Sequence, residues 1–152
     1  MKRVRWVVGI VIFGLVVSGV TAFPLLHELR ILEGMCDQDS ELGKWIHRVT
    51  IGLEDTYAAY PFIGYGTDWL AFGHLVIAMF FVLPWRDPVR YEGVLWVGVW
   101  ASLLVIPLAL ICGPIRGIPF GWRLIDCSFG LLCLIPLGLA LKWIGGMREL
   151  TR

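Results

Sequence analysis

Four long apolar runs dominate the pattern of hydrophobic and polar positions along the chain. They extend from about Val4 to Leu26, from Asp68 to Trp85, from Gly93 to Cys112 and from Trp122 to Trp143. A membrane core of about 30 Å is crossed by about 20 helical residues at a rise of about 1.5 Å each. The second run is the shortest, and residues 64–67 extend it. The pattern therefore predicts four transmembrane helices.

The segment between the first two runs has hydrophobic positions at helical spacing instead of a continuous apolar stretch. From Ser40 to about Tyr60 these positions follow a helical period, at Leu42, Trp45, Ile46, Val49, Leu53 and Tyr57. Asp39 or Ser40 can cap the amino end, and Pro61 ends the run. We predict an amphipathic helix on the outer membrane surface or over the mouth of the bundle, either as a packing element or as a lid over a site.

The composition is typical of integral membrane proteins. Hydrophobic residues make up 58% of the 152 residues and charged residues 16%, whereas soluble domains contain about 45–50% and about 25%. So much apolar surface favours the lipid bilayer as its solvent, and a net charge of +1 gives no signal for nucleic acid. We predict an all-α integral membrane protein: one four-helix transmembrane domain over residues 1–152, with an extra amphipathic external helix between helices 1 and 2.

The basic residues predict the orientation of these helices. Of the 13 Lys and Arg, eight lie on the side that holds both termini and the loop between the second and third helices: Lys2, Arg3, Arg5, Arg86, Arg90, Lys142, Arg148 and Arg152. Positive residues are retained in the cytoplasm. We therefore predict a multi-pass protein of the cell membrane with both termini cytoplasmic and residues 27–66 outside.

The amino terminus allows a second interpretation. Its basic start, its apolar stretch and the small residues at Val20, Thr21 and Ala22 resemble a secretory signal with a cleavage site. The apolar stretch is longer than the roughly 7–15 residues typical of such signals, and Pro24 follows closely. We therefore expect the first run to be a transmembrane helix, with cleavage and an external amino terminus as the alternative.

Ionisable side chains within or beside the apolar runs gather near the external end of the predicted bundle. They are His27, Glu28, Asp68, His74, Arg116, Arg123 and Asp126. Because ionisable groups in a membrane are costly, this cluster is the candidate site. One interpretation is an ion-pair network that ties the external loop to the helix ends, with Arg123 and Asp126 paired at i,i+3. Another is a site that binds an anionic head group or a carboxylate through the two arginines.

Acid–base chemistry is a further use of the same cluster. Asp68 or Asp126 beside His74 would make a carboxylate–imidazole pair suited to proton transfer. These three residues are therefore the catalytic candidates if the chain is an enzyme or a transporter.

A more specific hypothesis is that His27 and His74 bind a haem. His27 and His74 come from adjacent predicted helices, and two imidazoles on facing helices can hold a haem iron. The two differ in depth by about 8 Å at a rise of about 1.5 Å per residue, and the sequence has no Cys-x-x-Cys-His motif. We therefore predict no cofactor and no metal, with haem as the alternative.

The four cysteines show no motif that indicates a specific reaction. They form no Cys-x-x-Cys pair, which disfavours a redox-relay dithiol. Cys112 and Cys127 lie at similar predicted depth, so a disulfide between them is an alternative to small, buried and inert thiols.

The leading hypothesis for function is non-catalytic. The chain is predicted to be a small membrane subunit that binds a partner, a lipid or a small ligand at its external face, with another membrane protein or a second copy as the partner. An enzyme or transporter with a polar pocket at the external helix ends is the second hypothesis. A haem-binding electron-transfer protein is the third.

Overall fold

The computed structural model describes residues 1–149 and, within them, the side chains of residues 1–147. This part of the chain is helical and contains no strand. The helices are α1 (Lys2–Ala22), α2 (Leu25–Met35), α3 (Glu41–Ala59), a 3-10 turn (Pro61–Ile63), α4 (Gly64–Arg86), α5 (Glu92–Ile115) and α6 (Phe120–Glu149). Two of the basic residues used for the orientation, Arg152 and the side chain of Arg148, lie outside the described part.

Four of these segments are long and apolar enough to cross a membrane, which confirms the predicted number of apolar helices. They are α1, α4 together with the preceding turn, α5, and α6. In the most apolar stretch of each helix, no more than 22% of the residues are buried inside the chain. Most of their apolar surface therefore faces outward, as in a protein that is solvated by lipid.

The first helix ends at Ala22, four residues before the predicted end at Leu26. Pro24 follows with φ −87° and ψ 39°, and a proline lacks the N–H that would continue the helical hydrogen bonds. A separate helix, α2, begins at Leu25 and buries Leu29. The sequence pattern did not predict α2, because its apolar residues run on directly from those of α1.

The amphipathic helix is present as α3, within a residue of its predicted bounds. The side-chain oxygen of Ser40 accepts a hydrogen bond from the amide of Gly43 at 3.0 Å, so the predicted cap is confirmed. The helix ends at Ala59, before Pro61. Its buried positions include Ile46 and Thr50, one helical turn apart.

The chain packs as two compact units, of which unit 1 contains residues 1–15 and the residues from 77 onward. Its core consists of side chains from α1, α4, α5 and α6. The core residues are Val4, Val8, Val11, Phe81, Leu95, Leu137, Ala140 and Ile144. The chains of α5 and α6 approach closely at Gly130, where an added Cβ would lie 2.5 Å from the carbonyl oxygen of Ser102.

Unit 2 contains residues 16–76. Within it, α1 approaches α4 at Gly19, where an added Cβ would lie 2.9 Å from the carbonyl oxygen of Ala71. Helices α2 and α3 form a hairpin, and the guanidinium of Arg30 pairs with the carboxylate of Glu54 at 2.7 Å. The two helices of this hairpin therefore contact each other through charged side chains.

Candidate functional site

A cleft of about 200 Å³ lies beside the turn that joins α5 and α6. It brings together two of the predicted site residues, Arg116 from the end of α5 and Asp126 from the first turns of α6. The other lining residues are Val105, Leu108, Ala109, Cys112, Gly113 and Ile118. One positive and one negative side chain thus share a small cleft whose wall is otherwise mainly apolar.

The turn at the end of α5 determines where Arg116 lies. Gly117 has φ +69°, a left-handed conformation that glycine adopts without strain. The amide of Ile118 donates to the carbonyl of Gly113 at 2.9 Å, and the amide of Gly117 donates to that of Pro114 at 3.1 Å. These two bonds form a Schellman motif, which satisfies the last carbonyls of α5 and leaves Arg116 as the C-cap residue.

Arg123 does not pair with Asp126, although the two are spaced i,i+3 on α6. Its aliphatic stem packs against α5 at Gly113, where an added Cβ would collide with it, and its guanidinium lies 5.1 Å from the ring centroid of Phe120. Its Nε is buried without a hydrogen-bond partner among the described residues. Packing against α5 therefore overrides the local spacing that favoured an ion pair.

His74 is held by its own helix. Its Nδ1 lies 2.8 Å from the carbonyl oxygen of Leu70, one turn earlier in α4. Because a carbonyl oxygen only accepts, Nδ1 is the donor in this contact. Asp68 is half-buried in the same helix, and the described chain contains no hydrogen bond or ion pair between the two.

His27 and Glu28 lie in the first turn of α2 and not at the end of the first transmembrane run. His27 is exposed and Glu28 is half-buried. A carboxylate in the first turn is favourable because it faces the positive end of the helix dipole. Among the described residues, no group of three or more His, Cys, Asp and Glu side chains is arranged to hold a metal ion.

Sequence reasoning missed two polar contacts between α2 and α3, of which one is an ion pair. Glu33 contacts Nδ1 of His47, and Arg30 pairs with Glu54. They were missed because α2 itself was not recognised. The available signal was the spacing of Leu25, Leu29 and Leu32 at i, i+4 and i+7, which is typical of an amphipathic helix.

The four cysteines are unbonded in the structure. Cys127 is buried, as predicted for an inert thiol. Cys112 is exposed and lines the α5–α6 cleft, so the prediction of a buried thiol is wrong at this position. Cys112 lies about one turn before the end of α5 and forms part of the wall of the cleft.

No protein-family model, no curated protein and no solved structure matches this chain.

Proposed function

We propose that the chain is a multi-pass protein of the cell membrane with α1, α4, α5 and α6 as its four transmembrane helices. Both termini lie in the cytoplasm, and the α2–α3 hairpin lies on the other side. The distribution of Lys and Arg supports this orientation. The core of unit 1 includes Val4, Val8 and Val11 of α1. This packing supports α1 as a transmembrane helix over a signal sequence that is cleaved off.

In this orientation the α5–α6 cleft opens at the non-cytoplasmic end of the two helices. We propose that the protein is a small membrane subunit whose cleft binds a group with both an anionic and a cationic centre. The observation that carries the proposal is the presence of Arg116 and Asp126 in one cleft. The guanidinium would bind a carboxylate or phosphate, and the carboxylate of Asp126 would accept hydrogen bonds from an ammonium group.

The size of the cleft limits what it can hold. Ligand sites for drug-sized molecules have volumes of about 300–1,000 Å³, and this cleft has about 200 Å³. It therefore fits a small zwitterion, such as a free amino acid or the ethanolamine phosphate head group of a lipid. Arg116 is exposed and Asp126 is half-buried, so solvent screens the interaction of Arg116 more than that of Asp126.

Thermal unfolding of the purified protein tests this proposal. Glycine, phosphoethanolamine and a phosphatidylethanolamine are added separately to distinguish a free zwitterion from a lipid head group. A ligand at 100 times its Kd raises the free energy of unfolding by about 2.7 kcal/mol. We expect Arg116→Gln and Asp126→Asn to abolish this stabilisation while each variant still unfolds cooperatively.

Arg90→Gln is the matched control, because Arg90 is exposed on the loop at the other end of α5. It should leave the ligand-induced shift unchanged. The proposal is wrong if no probe stabilises the wild-type protein. It is also wrong if Arg116→Gln and Asp126→Asn lower the basal stability but keep the full shift, since the two residues would then serve packing alone.

A further inference from the structure

A second concave region of the described structure is a groove at the other end of unit 1, between α1 and α4. It has a volume of about 630 Å³ and is lined on the α1 side by residues from Lys2 to Phe13, and by Trp85 from α4. Its floor is open because Gly9 has no side chain, and a Cβ there would lie 3.7 Å from Nε1 of Trp85. The groove is distinct from the α5–α6 cleft and from every residue of the candidate site.

The charges of this groove are all of one sign. Lys2 and Arg5 stand at one end, and no acidic residue lines it. Nη2 of Arg5 donates to the carbonyl oxygen of Arg86 at 2.9 Å, which holds the guanidinium at the end of α4. A guanidinium has five N–H donors, so the other donors of Arg5 are available to an anion. The contact pre-organises Arg5 and lowers the entropy that binding would cost.

The rest of the groove is apolar and has the length of one membrane leaflet. Ile10, Phe13 and Trp85 line it beyond the basic end. From Lys2 to Phe13 the helix rises about 17 Å at about 1.5 Å per residue, and half of a membrane core is about 15 Å. An acyl chain whose head group is level with Lys2 would therefore end near Phe13.

We propose that this groove binds an anionic phospholipid of the cytoplasmic leaflet. Lys2 and Arg5 bind its phosphate and head group, and one acyl chain lies along α1 over Gly9. The exposed indole of Trp6 at the basic end suits the membrane interface, where tryptophan is enriched. This inference rests on the proposed membrane orientation and is independent of what the α5–α6 cleft binds.

Native mass spectrometry of the purified full chain tests the lipid preference. Phosphatidylglycerol and phosphatidylcholine with identical acyl chains are the two probes, so that only the head group differs. We expect the wild-type protein to retain phosphatidylglycerol preferentially. Lys2→Gln and Arg5→Gln should each weaken this binding about fivefold, because each basic residue near an anionic lipid contributes about 1 kcal/mol. Arg90→Gln, which removes a charge outside the groove, should not change it.

Filling the groove tests the acyl-chain contact separately. The Cβ of Gly9→Leu would lie at ordinary contact distance from Trp85, and we expect the rest of the leucine side chain to occupy the groove and block the lipid. Gly14→Leu is its control, because nothing lies within 4 Å of a Cβ at Gly14 on the same helix. We expect loss of phosphatidylglycerol retention for Gly9→Leu alone.

Equal retention of the two lipids by the wild-type protein would overturn the inference. So would equal losses for Arg90→Gln and Arg5→Gln, since binding would then depend on overall charge. Flotation of each reconstituted variant with vesicles shows whether the chain is inserted. A failure of insertion, which concerns the proposed orientation, is thereby distinguished from a failure of lipid recognition.

Discussion

Arg123 packs against α5 and the Phe120 ring and does not form the ion pair with Asp126 that the sequence predicted. A buried donor without an acceptor costs about 1–3 kcal/mol, and the Nε of Arg123 is such a donor among the described residues. The guanidinium lies over the Phe120 ring, and a cation–π contact contributes about 0.5–2 kcal/mol. The aliphatic stem adds its contact with Gly113 on α5. Asp126 is thereby left without Arg123 as a partner and lines the cleft together with Arg116.

Gly117 is the residue on which the position of Arg116 depends most directly. We expect Gly117→Ala to lower the free energy of unfolding by about 1–2 kcal/mol, because an L-residue is strained in the left-handed conformation. The loss should be smaller for Gly117→Asn, since asparagine tolerates this conformation better. The measurement is equilibrium unfolding of the purified protein in detergent.

Gly121→Ala is the control for this prediction, because nothing lies within 4 Å of a Cβ at Gly121 and its φ is not positive. It should cost nothing. If Gly117→Ala is as stable as the wild-type protein, the turn does not require glycine, and the Schellman motif does not hold Arg116 in place.

At the scale of the helices, small residues decide how closely two elements approach. The two helices of the α5–α6 hairpin pack closely where Gly130 faces the backbone of Ser102, and Phe81 and Leu137 fill the space beside Gly98. In a membrane, helices associate through close packing of this kind rather than through the hydrophobic effect. The cleft that contains Arg116 and Asp126 lies between the same two helices, so their spacing also determines its width.

We expect Gly130→Ala to destabilise the protein by about 1–3 kcal/mol, a typical cost of overpacking. The added Cβ would lie 2.5 Å from the carbonyl oxygen of Ser102, and a backbone atom cannot rotate away. Gly138→Ala on the same helix should be neutral, because its Cβ would meet nothing within 4 Å. Unfolding in detergent measures both variants, and similar stabilities for the two would contradict the close approach at Gly130.

At the scale of the whole molecule, the proposed orientation predicts which loops a membrane-impermeant thiol reagent reaches. Asp39 lies in the α2–α3 loop and Val89 in the loop between α4 and α5, and both are exposed. With the four native cysteines replaced by alanine, Asp39→Cys should react in intact cells. Val89→Cys should react only after the membrane is permeabilised.

The reverse result, with Val89→Cys labelled from outside, would invert the orientation and place the α5–α6 cleft on the cytoplasmic side. Reaction of both positions in intact cells would contradict four membrane crossings by α1, α4, α5 and α6. A control with the cysteine-free chain measures background labelling.

Local features of the sequence determined the apolar helices and the start of α3. The length of an apolar run and the ability of Ser40 to accept from Gly43 depend on neighbouring residues alone, so they could be predicted without a fold. The break at Pro24 was not predicted, since the first run was extended past it to Leu26. The helix beyond it was not recognised either, because α2 continues the apolar run of α1 with only two residues between them.

Only the tertiary structure decided which charged side chains meet. The sequence pattern favoured Arg123 with Asp126, whereas the structure brings Arg116 into the cleft with Asp126 and Glu33 into contact with His47. The physical reason is that packing between helices determines which side chains lie together. The aliphatic stem of Arg123 packs against Gly113, and the left-handed turn at Gly117 positions Arg116. Contacts between separate helices depend on how whole helix faces fit together, and spacing along one helix does not contain that information.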